Sequence, residues 1–233
     1  MKVDVVFKVE DLLQEDILHR NVVVIDILRC SSTIITALAK GIYEIISVES
    51  LGKARLIPRE DTLFVGEHGA YKIPEFDCSN SPTEILQLNA LPQRMVIKTT
   101  NGSRAILKGA RADALYIGSL LNAKALAYKL LTQNQPTTLL CSGVNNQVAI
   151  EDIAGAGAII TQLLQEGTIH LSERARIAEA TYHQYANDLE ALLFSSDTGQ
   201  RLCRLGYEGD ISFCAQLNHY DLVPTYESGR IIA

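Results

Sequence analysis

The sequence predicts a layered α/β protein, with a mainly parallel or mixed sheet and helices on both of its faces. Three observations carry that reading. Val22-Val-Val-Ile-Asp-Ile-Leu28 is a nearly continuous β-branched run, the pattern of a strand buried on both faces of a parallel sheet. The order strand, small polar turn, helix recurs three times along the chain, as βα units require. Finally, 233 residues with 47% apolar and 21% charged side chains can bury a sizeable core.

Each element follows from its own chemistry. After the strand ending at Leu28, Arg29-Cys-Ser-Ser-Thr33 offers hydroxyl caps, and Ile34, Ile35 and Leu38 keep helical spacing until Gly41. Met95 to Lys98, the turn Thr99-Thr-Asn-Gly-Ser103 and a helix with Ala105, Ile106 and Ala110 repeat the unit. Thr137 to Cys141, Ser142-Gly143 and a helix from 149 to 165 repeat it again. Ile45 to Val48, Leu63 to Val65 and Ala114 to Ile117 read as further strands, and Asn122 to Thr132 as a capped helix. From Ser172 to Phe194 an unbroken stripe of Ala175, Ala178, Ala180, Ala186, Leu189, Leu192 and Leu193 predicts one long covering helix. A short helix over 198–205 ends at Gly206, and Leu222 to Tyr226 reads as a late strand that Pro224 assigns to a sheet edge.

No linker rich in Gly, Pro or Ser interrupts the chain, so residues 1–233 read as a single α/β domain. A faint echo between Ala39-Lys40-Gly41 with Ser50-Leu-Gly-Lys53 and Leu107-Lys108-Gly109 with Leu121-Asn-Ala-Lys124 hints at duplication and carries little weight. The 21 Lys and Arg against 27 Asp and Glu leave a net charge of −6 with no basic run, which argues against nucleic acid as a partner. Asp4, Lys8 and Glu10 break any secretory h-region, and no apolar stretch nears the roughly 18 residues of a membrane span. Five scattered cysteines without a Cys-x-x-Cys pair suit reduced thiols in the cytoplasm. A homo-oligomer stays open.

The chemistry is expected at the carboxyl edge of the sheet, where open α/β proteins bind ligands. The turns Arg29 to Thr33, Thr99 to Arg104 and Ser142 to Asn146 collect there, and each opens a helix whose free N–H groups favour anions. Taken singly, each turn is equally explained as simple capping; together, with two arginines, they suggest a polyanion site. Carboxylates stand close by: Asp26 inside an apolar strand, Glu67 after a strand, Asp77 in a loop, and Glu151-Asp152 opening a helix. A buried carboxylate is costly unless paired or bound to a metal. Asp26 therefore either pairs with an arginine, caps a turn or ligates a metal, and at least one of Glu151 and Asp152 serves the helix dipole. Hard oxygen ligands beside phosphate turns suit Mg²⁺ better than zinc.

Other phosphatase chemistries lack their residues. A cysteine phosphatase needs Arg six positions after Cys, but Cys30 leads to Thr36 and Cys141 to Gln147. Asp26-Ile-Leu28 lacks the second Asp of a phosphoaspartyl motif, and neither a Walker loop nor a G-x-S-x-G elbow is present. The five histidines show no metal-ligand spacing and read as surface or packing residues.

Val23-Val-Ile-Asp-Ile-Leu-Arg-Cys-Ser-Ser-Thr33, Gly66-Glu67, Phe76-Asp77, Asn80-Ser-Pro82, Thr99-Thr-Asn-Gly-Ser103, Ser142-Gly143, Glu151-Asp152 and Gly206 to Asp210-Ile211, in that order, resemble the 2-phosphosulfolactate phosphatase family. The resemblance covers roughly residues 3 to 226. It implies a Mg²⁺-dependent hydrolase that converts 2-phosphosulfolactate to sulfolactate and phosphate in coenzyme M biosynthesis, on a compact α/β fold of its own type. The chain departs from that pattern at His68, Glu75 and Ser103; a neutral His68 holds the second anion less firmly, while a protonated one would stand in as the cation. From the residues' chemistry, Mg²⁺ is assigned to Asp26 with one or more of Glu67, Glu151 and Asp152, and Glu151 or Asp152 to positioning water. Asp26, Glu151 and Asp152 form the catalytic set. Substrate binding falls to Arg29, Ser31, Ser32, Thr99, Thr100, Asn101, Gly102, Ser103 and Arg104, with the two arginines clamping non-bridging or sulfonate oxygens. Two other readings stand beside this one: a phosphatase for another small phosphorylated hydroxy acid, and a noncatalytic anion-binding module.

Overall fold

Short, largely β-branched strands dictate the centre of the molecule. In the computed structural model, which describes residues 1–233, β2 (Asn21–Ile25) and β8 (Thr137–Cys141) are buried at every position. They lie side by side in parallel, Val23 opposite Leu139 and Ile25 opposite Cys141. Around them the chain runs β1 (Lys2–Val6), β2, α1 (Cys30–Ala39), β3 (Glu44–Ser47), α2 (Leu51–Arg55), β4 (Thr62–His68), β5 (Tyr71–Lys72), α3 (Pro82–Gln87), β6 (Arg94–Lys98), α4 (Gly102–Gly109) and β7 (Ala114–Gly118). It continues through α5 (Ala123–Gln133), β8, α6 (Ile150–Glu166), β9 (His170–Leu171), α7 (Glu173–Tyr185), α8 (Leu189–Ser195), α9 (Asp197–Arg204), α10 (Glu208–Cys214), β10 (Thr225–Glu227) and β11 (Arg230–Ile232).

The eleven strands form one mixed sheet in the order β5-β4-β6-β3-β11-β10-β7-β2-β8-β1-β9. It is built as two parallel blocks. The first, β7-β2-β8-β1-β9, is parallel throughout. In the second, β3, β6 and β4 are parallel and β5 folds back as a hairpin. The antiparallel ribbon β10–β11 bridges them, through Tyr226 opposite Leu115 on one side and Ile231 opposite Ile45 on the other. Side chains alternate along each strand, so each block has two apolar faces. The shared core joins both blocks on one face, packing Val22 and Val24 of β2 and Ile97 of β6 with Ile34 of α1 and Ile106 of α4. The other face of the first block packs Val23, Ile25 and Leu139 against α5, α6, α7 and α8. A smaller cluster of Phe64, Phe76 and Val96 closes the far face of the second block. No helix is long and apolar enough to cross a membrane.

Two expectations are corrected. The single helix over 172–194 is two, because Asp188 accepts a hydrogen bond from the Ala191 N–H and so caps a fresh start. Ser196 in turn caps α9 through the Gly199 N–H. The late strand is not at an edge. Pro224 stands before β10, where its missing N–H costs nothing and its carbonyl accepts from Ile117 N, and the strand proper begins at Thr225.

Candidate active site

Most of the functional side chains are placed by the end of a parallel strand or the start of the helix that follows it, and α9 and two loops supply the rest. After β2 the chain passes Asp26, Ile27, Leu28 and Arg29, whose Leu28–Arg29 peptide is cis, before α1 begins. Asp26 Oδ1 accepts from the Cys30 N–H at 3.0 Å, and no donor of the chain reaches Oδ2. Ser31 and Ser32, expected to touch the ligand, build this turn instead. Ser31 Oγ accepts from Asp26 N at 3.0 Å and donates to the Val24 carbonyl, while Ser32 Oγ donates to the Ile27 carbonyl and pairs with Ser119 Oγ at 2.9 Å. Both are buried, because short hydroxyls in a first helical turn are where backbone groups of the strand end find partners.

Glu67 comes from β4 in the second block. Its Oε1 accepts from Thr100 N at 2.6 Å, and its Oε2 accepts from Ala70 N at 2.7 Å and Thr100 Oγ1 at 3.1 Å. The following turn, Thr99 to Asn101, leads into α4. There Thr99 and Ser103 bond reciprocally, N–H to hydroxyl at 2.9 Å each way, so Ser103 holds the turn and stays off the cavity wall. Gly102 acts by what it lacks: a Cβ there would stand 2.5 Å from Cys30 Cβ and 2.7 Å from Asp26 Oδ2. It lets the start of α4 press against Asp26. Arg104 turns away to pair with Glu10 and does not line the cavity, correcting its assignment as an anion clamp.

The loop after β8 carries Gly143, with φ of +66°, and Asn145 and Asn146, both with positive φ, residue types that accept the left-handed conformation. Lys8 Nζ steadies it by donating to Asn146 Oδ1 at 2.8 Å. Asp152, in the first turn of α6, is spent on backbone: its Oδ1 accepts from Ile27 N at 2.8 Å and its Oδ2 from Gly143 N at 3.1 Å. It ties the β2 turn to the β8 loop.

These loops enclose one cavity lined by Asp26, Arg29, Glu67, Glu151 and Asp152, with Thr99, Thr100 and Asn101. Asn80, Gly143, Asn145, Thr198 and Arg201 complete its polar wall. The sequence motifs contained Asn80, Gly143 and Asn145 without assigning them roles. Thr198 and Arg201 carried no signal, because their spacing on α9 looks like that of any packing helix. His68, expected as a substitute cation, is exposed outside the lining.

Crowding of acids sets the electrostatics. Burial pushes Asp26 up to about 7, the neighbouring Glu67 and Glu151 add to the rise, and the Cys30 N–H and Arg29 oppose it. Burial also raises Glu151, against the Thr198 hydroxyl that favours its ionised form. Asp152 is raised by burial and by both neighbouring acids, against its two backbone donors. Burial holds the thiols of Cys30 and Cys141 well above their ordinary range, which keeps them from serving as nucleophiles. Arg29 is nearly inaccessible. Its Nη1 donates to Asp210 Oδ2 at 2.6 Å, and its guanidinium lies 4.2 Å from the Tyr207 ring centroid. Asp210 is also fully buried and accepts from Ser81 Oγ at 2.7 Å, Thr83 N at 3.1 Å and Thr83 Oγ1 at 2.6 Å.

No three acidic, histidine or cysteine side chains converge closely enough to form a closed ion cage. Mg²⁺ does not need one: it keeps several waters and is usually held by one or two carboxylates plus substrate phosphate. Two features fit that ion. Asp26 presents an oxygen without a donor amid other acids, and Asn80 Oδ1 is buried on the cavity wall with no hydrogen-bond partner.

The sequence profile of the 2-phosphosulpholactate phosphatase family matches residues 7–229. A probable 2-phosphosulfolactate phosphatase of Carboxydothermus hydrogenoformans is 39% identical, with 100% of this chain and 97% of that protein aligned. Relatives of the same description from Symbiobacterium thermophilum and Pseudothermotoga lettingae are each 35% identical, over 94% and 99% of this chain and 96% and 98% of their own lengths. The matched residues include every strand end and helix start that lines the cavity, and the chain belongs to the 2-phosphosulfolactate phosphatase family of phosphoric monoester hydrolases.

Proposed function

We propose that this phosphatase hydrolyses 2-phosphosulfolactate to sulfolactate and phosphate with Mg²⁺ held by Asp26 and Glu67, as a step of coenzyme M biosynthesis in the cytoplasm. The observation that carries the metal is the meeting of Asp26 and Glu67 in one cavity, where burial, with the charges of Glu67 and Glu151 adding to it, pushes Asp26 up to about 7. The family supports the substrate, and Arg29 and Arg201 on the cavity wall suit a multiply charged acid. Five free cysteines suit a reducing compartment.

Bound there, Mg²⁺ supplies a Lewis acid to the phosphoryl oxygens. Thr99, Thr100 and Asn101 at the start of α4 orient the phosphate with hydroxyl and backbone donors, where the helix dipole favours negative charge. Arg29, fixed between Asp210 and Tyr207, offers its cation without having to be ordered on binding. Glu151 positions and deprotonates the attacking water, the Thr198 hydroxyl keeping its carboxylate available. Asp152 supports the site from behind through Ile27 and Gly143.

Phosphate release from 2-phosphosulfolactate tests this directly. Turnover is expected to vanish after dialysis against chelator and to return with Mg²⁺. Full turnover in excess chelator overturns the metal, and no release with Mg²⁺ present overturns the substrate.

A further inference from the structure

The cavity wall holds two cations, and they are in different states. Arg29 is partly engaged: its Nη1 donates to Asp210 and Tyr207 covers its face, which leaves others of its N–H groups for the phosphate. Arg201 lines the same cavity from α9 and makes no ion pair or side-chain hydrogen bond, although Asp197 stands one turn earlier on the same helix. Arginine next to an acid at helical i, i+4 spacing commonly closes on it. Here its charge is left for the cavity, which four carboxylates otherwise line.

The neighbours of Arg201 fix where it acts. Thr198, one turn before it on α9, and Glu151, at the start of α6, line the same cavity beside it. The phosphate belongs beside Asp26, Glu67 and the start of α4, so a second acid group is carried toward α9. We infer that Arg201 is a specificity-determining residue that binds the sulfonate of the substrate, discriminating sulfonated from unsulfonated phospho acids. The inference rests on the phosphatase reading above. An always-charged planar fork suits a sulfonate's oxygens, and a site that spends a fixed cation on that group penalises a substrate lacking it.

The test compares 2-phosphosulfolactate with 2-phospholactate, which differ in the sulfonate alone. Wild-type enzyme with Mg²⁺ is expected to prefer the sulfonated compound in kcat/KM. Arg201→Gln should shrink that preference at least tenfold, and Arg201→Lys should restore part of it. A preference unchanged in Arg201→Gln, or absent in the wild type, overturns the inference. Failure of the phosphatase reading is seen separately, as no phosphate release by wild type from either compound. Calorimetric binding of sulfolactate then decides: weaker binding by Arg201→Gln than by wild type supports the role, and equal or undetectable binding by both overturns it. Matching melting temperatures of wild type and the Gln and Lys variants keep misfolding from being read as lost recognition.

Discussion

Two strand ends, one in each parallel block, carry an acid into the same cavity, and their surroundings differ. Glu67, from the second block, receives three donors that its own neighbourhood supplies, two from Thr100 and one from Ala70. Asp26, from the first block, receives one, the Cys30 N–H, and leaves its second oxygen bare. The difference teaches that a buried carboxylate is made tolerable by the donors delivered with it. Where they are withheld, the acid keeps its affinity for a proton or a cation. The first block thus stores most of the site's demand for a cation, and the second presents Glu67 already oriented by its donors, with Oε1 taking only one of them.

The largest break in that comparison is Asp26→Asn, which keeps the acceptor for Cys30 N and removes the charge. It should lower kcat by about 10²–10⁴, the usual loss for a group central to a charge-stabilising site, read as phosphate release with Mg²⁺. The same variant should stabilise the metal-free protein at high pH. The pKa of Asp26 in the folded chain lies above the 3.8 of an ordinary Asp. Its contribution to stability is therefore complete below about pH 4 and is lost as pH rises through about 7. Metal-free wild type should accordingly melt at lower temperature at pH 8 than at pH 5. Asp26→Asn should flatten that decline, and Mg²⁺ should raise the wild-type melting temperature more at pH 8 than at pH 5. A decline of the same size in the variant would place the titration elsewhere.

Glu67→Gln sharpens the contrast with the opposite sign. An amide N–H₂ would then face either the Thr100 N–H or the pair of donors on Oε2, so the substitution should destabilise the protein by about 1–3 kcal/mol at neutral pH. Denaturant midpoints measure it, and a gain in stability would contradict the orienting role of those donors. The smallest effect belongs to Arg104→Ala. Its pair with Glu10 is half exposed on the arginine side, so a loss under about 1 kcal/mol is expected, with kcat/KM within about twofold of wild type. A large fall in kcat/KM would return Arg104 to the site.

The parts of the fold that sequence disclosed were those with local causes. β2, β6 and β8 are each centred on consecutive apolar residues, and the small polar turns after them are visible as turns. The joint between α7 and α8 was hidden because Asp188 sits within an otherwise helical stripe, and only the Ala191 N–H it accepts from marks a cap. β11 has three residues, too few for any periodicity to speak. At the site, strand-end position identified Asp26, Glu67 and Glu151 as neighbours of the turns. Position could not say which hydroxyls are consumed by the backbone. Ser31 and Thr100 look alike in the sequence, yet one closes a turn and the other holds Glu67. Arg201 was out of reach because α9 arrives from a distant part of the chain.

The ribbon β10–β11 also bears on the order of events during folding. It is the only hydrogen-bonded strand connection between the two blocks, and Arg230 reaches Glu44 across 186 positions of chain. Each block can pair its parallel strands from earlier segments, but their edges are joined in one sheet only when residues 225–232 dock between β7 and β3. Such a closure joins segments far apart in the chain and carries a correspondingly large loop-closure cost. Without these residues the two half-sheets meet only through their shared core and keep an exposed edge apiece, a state open to strand exchange with other chains. Phosphatase activity would then report the capture of one short ribbon, long after the acids that perform it have been synthesised.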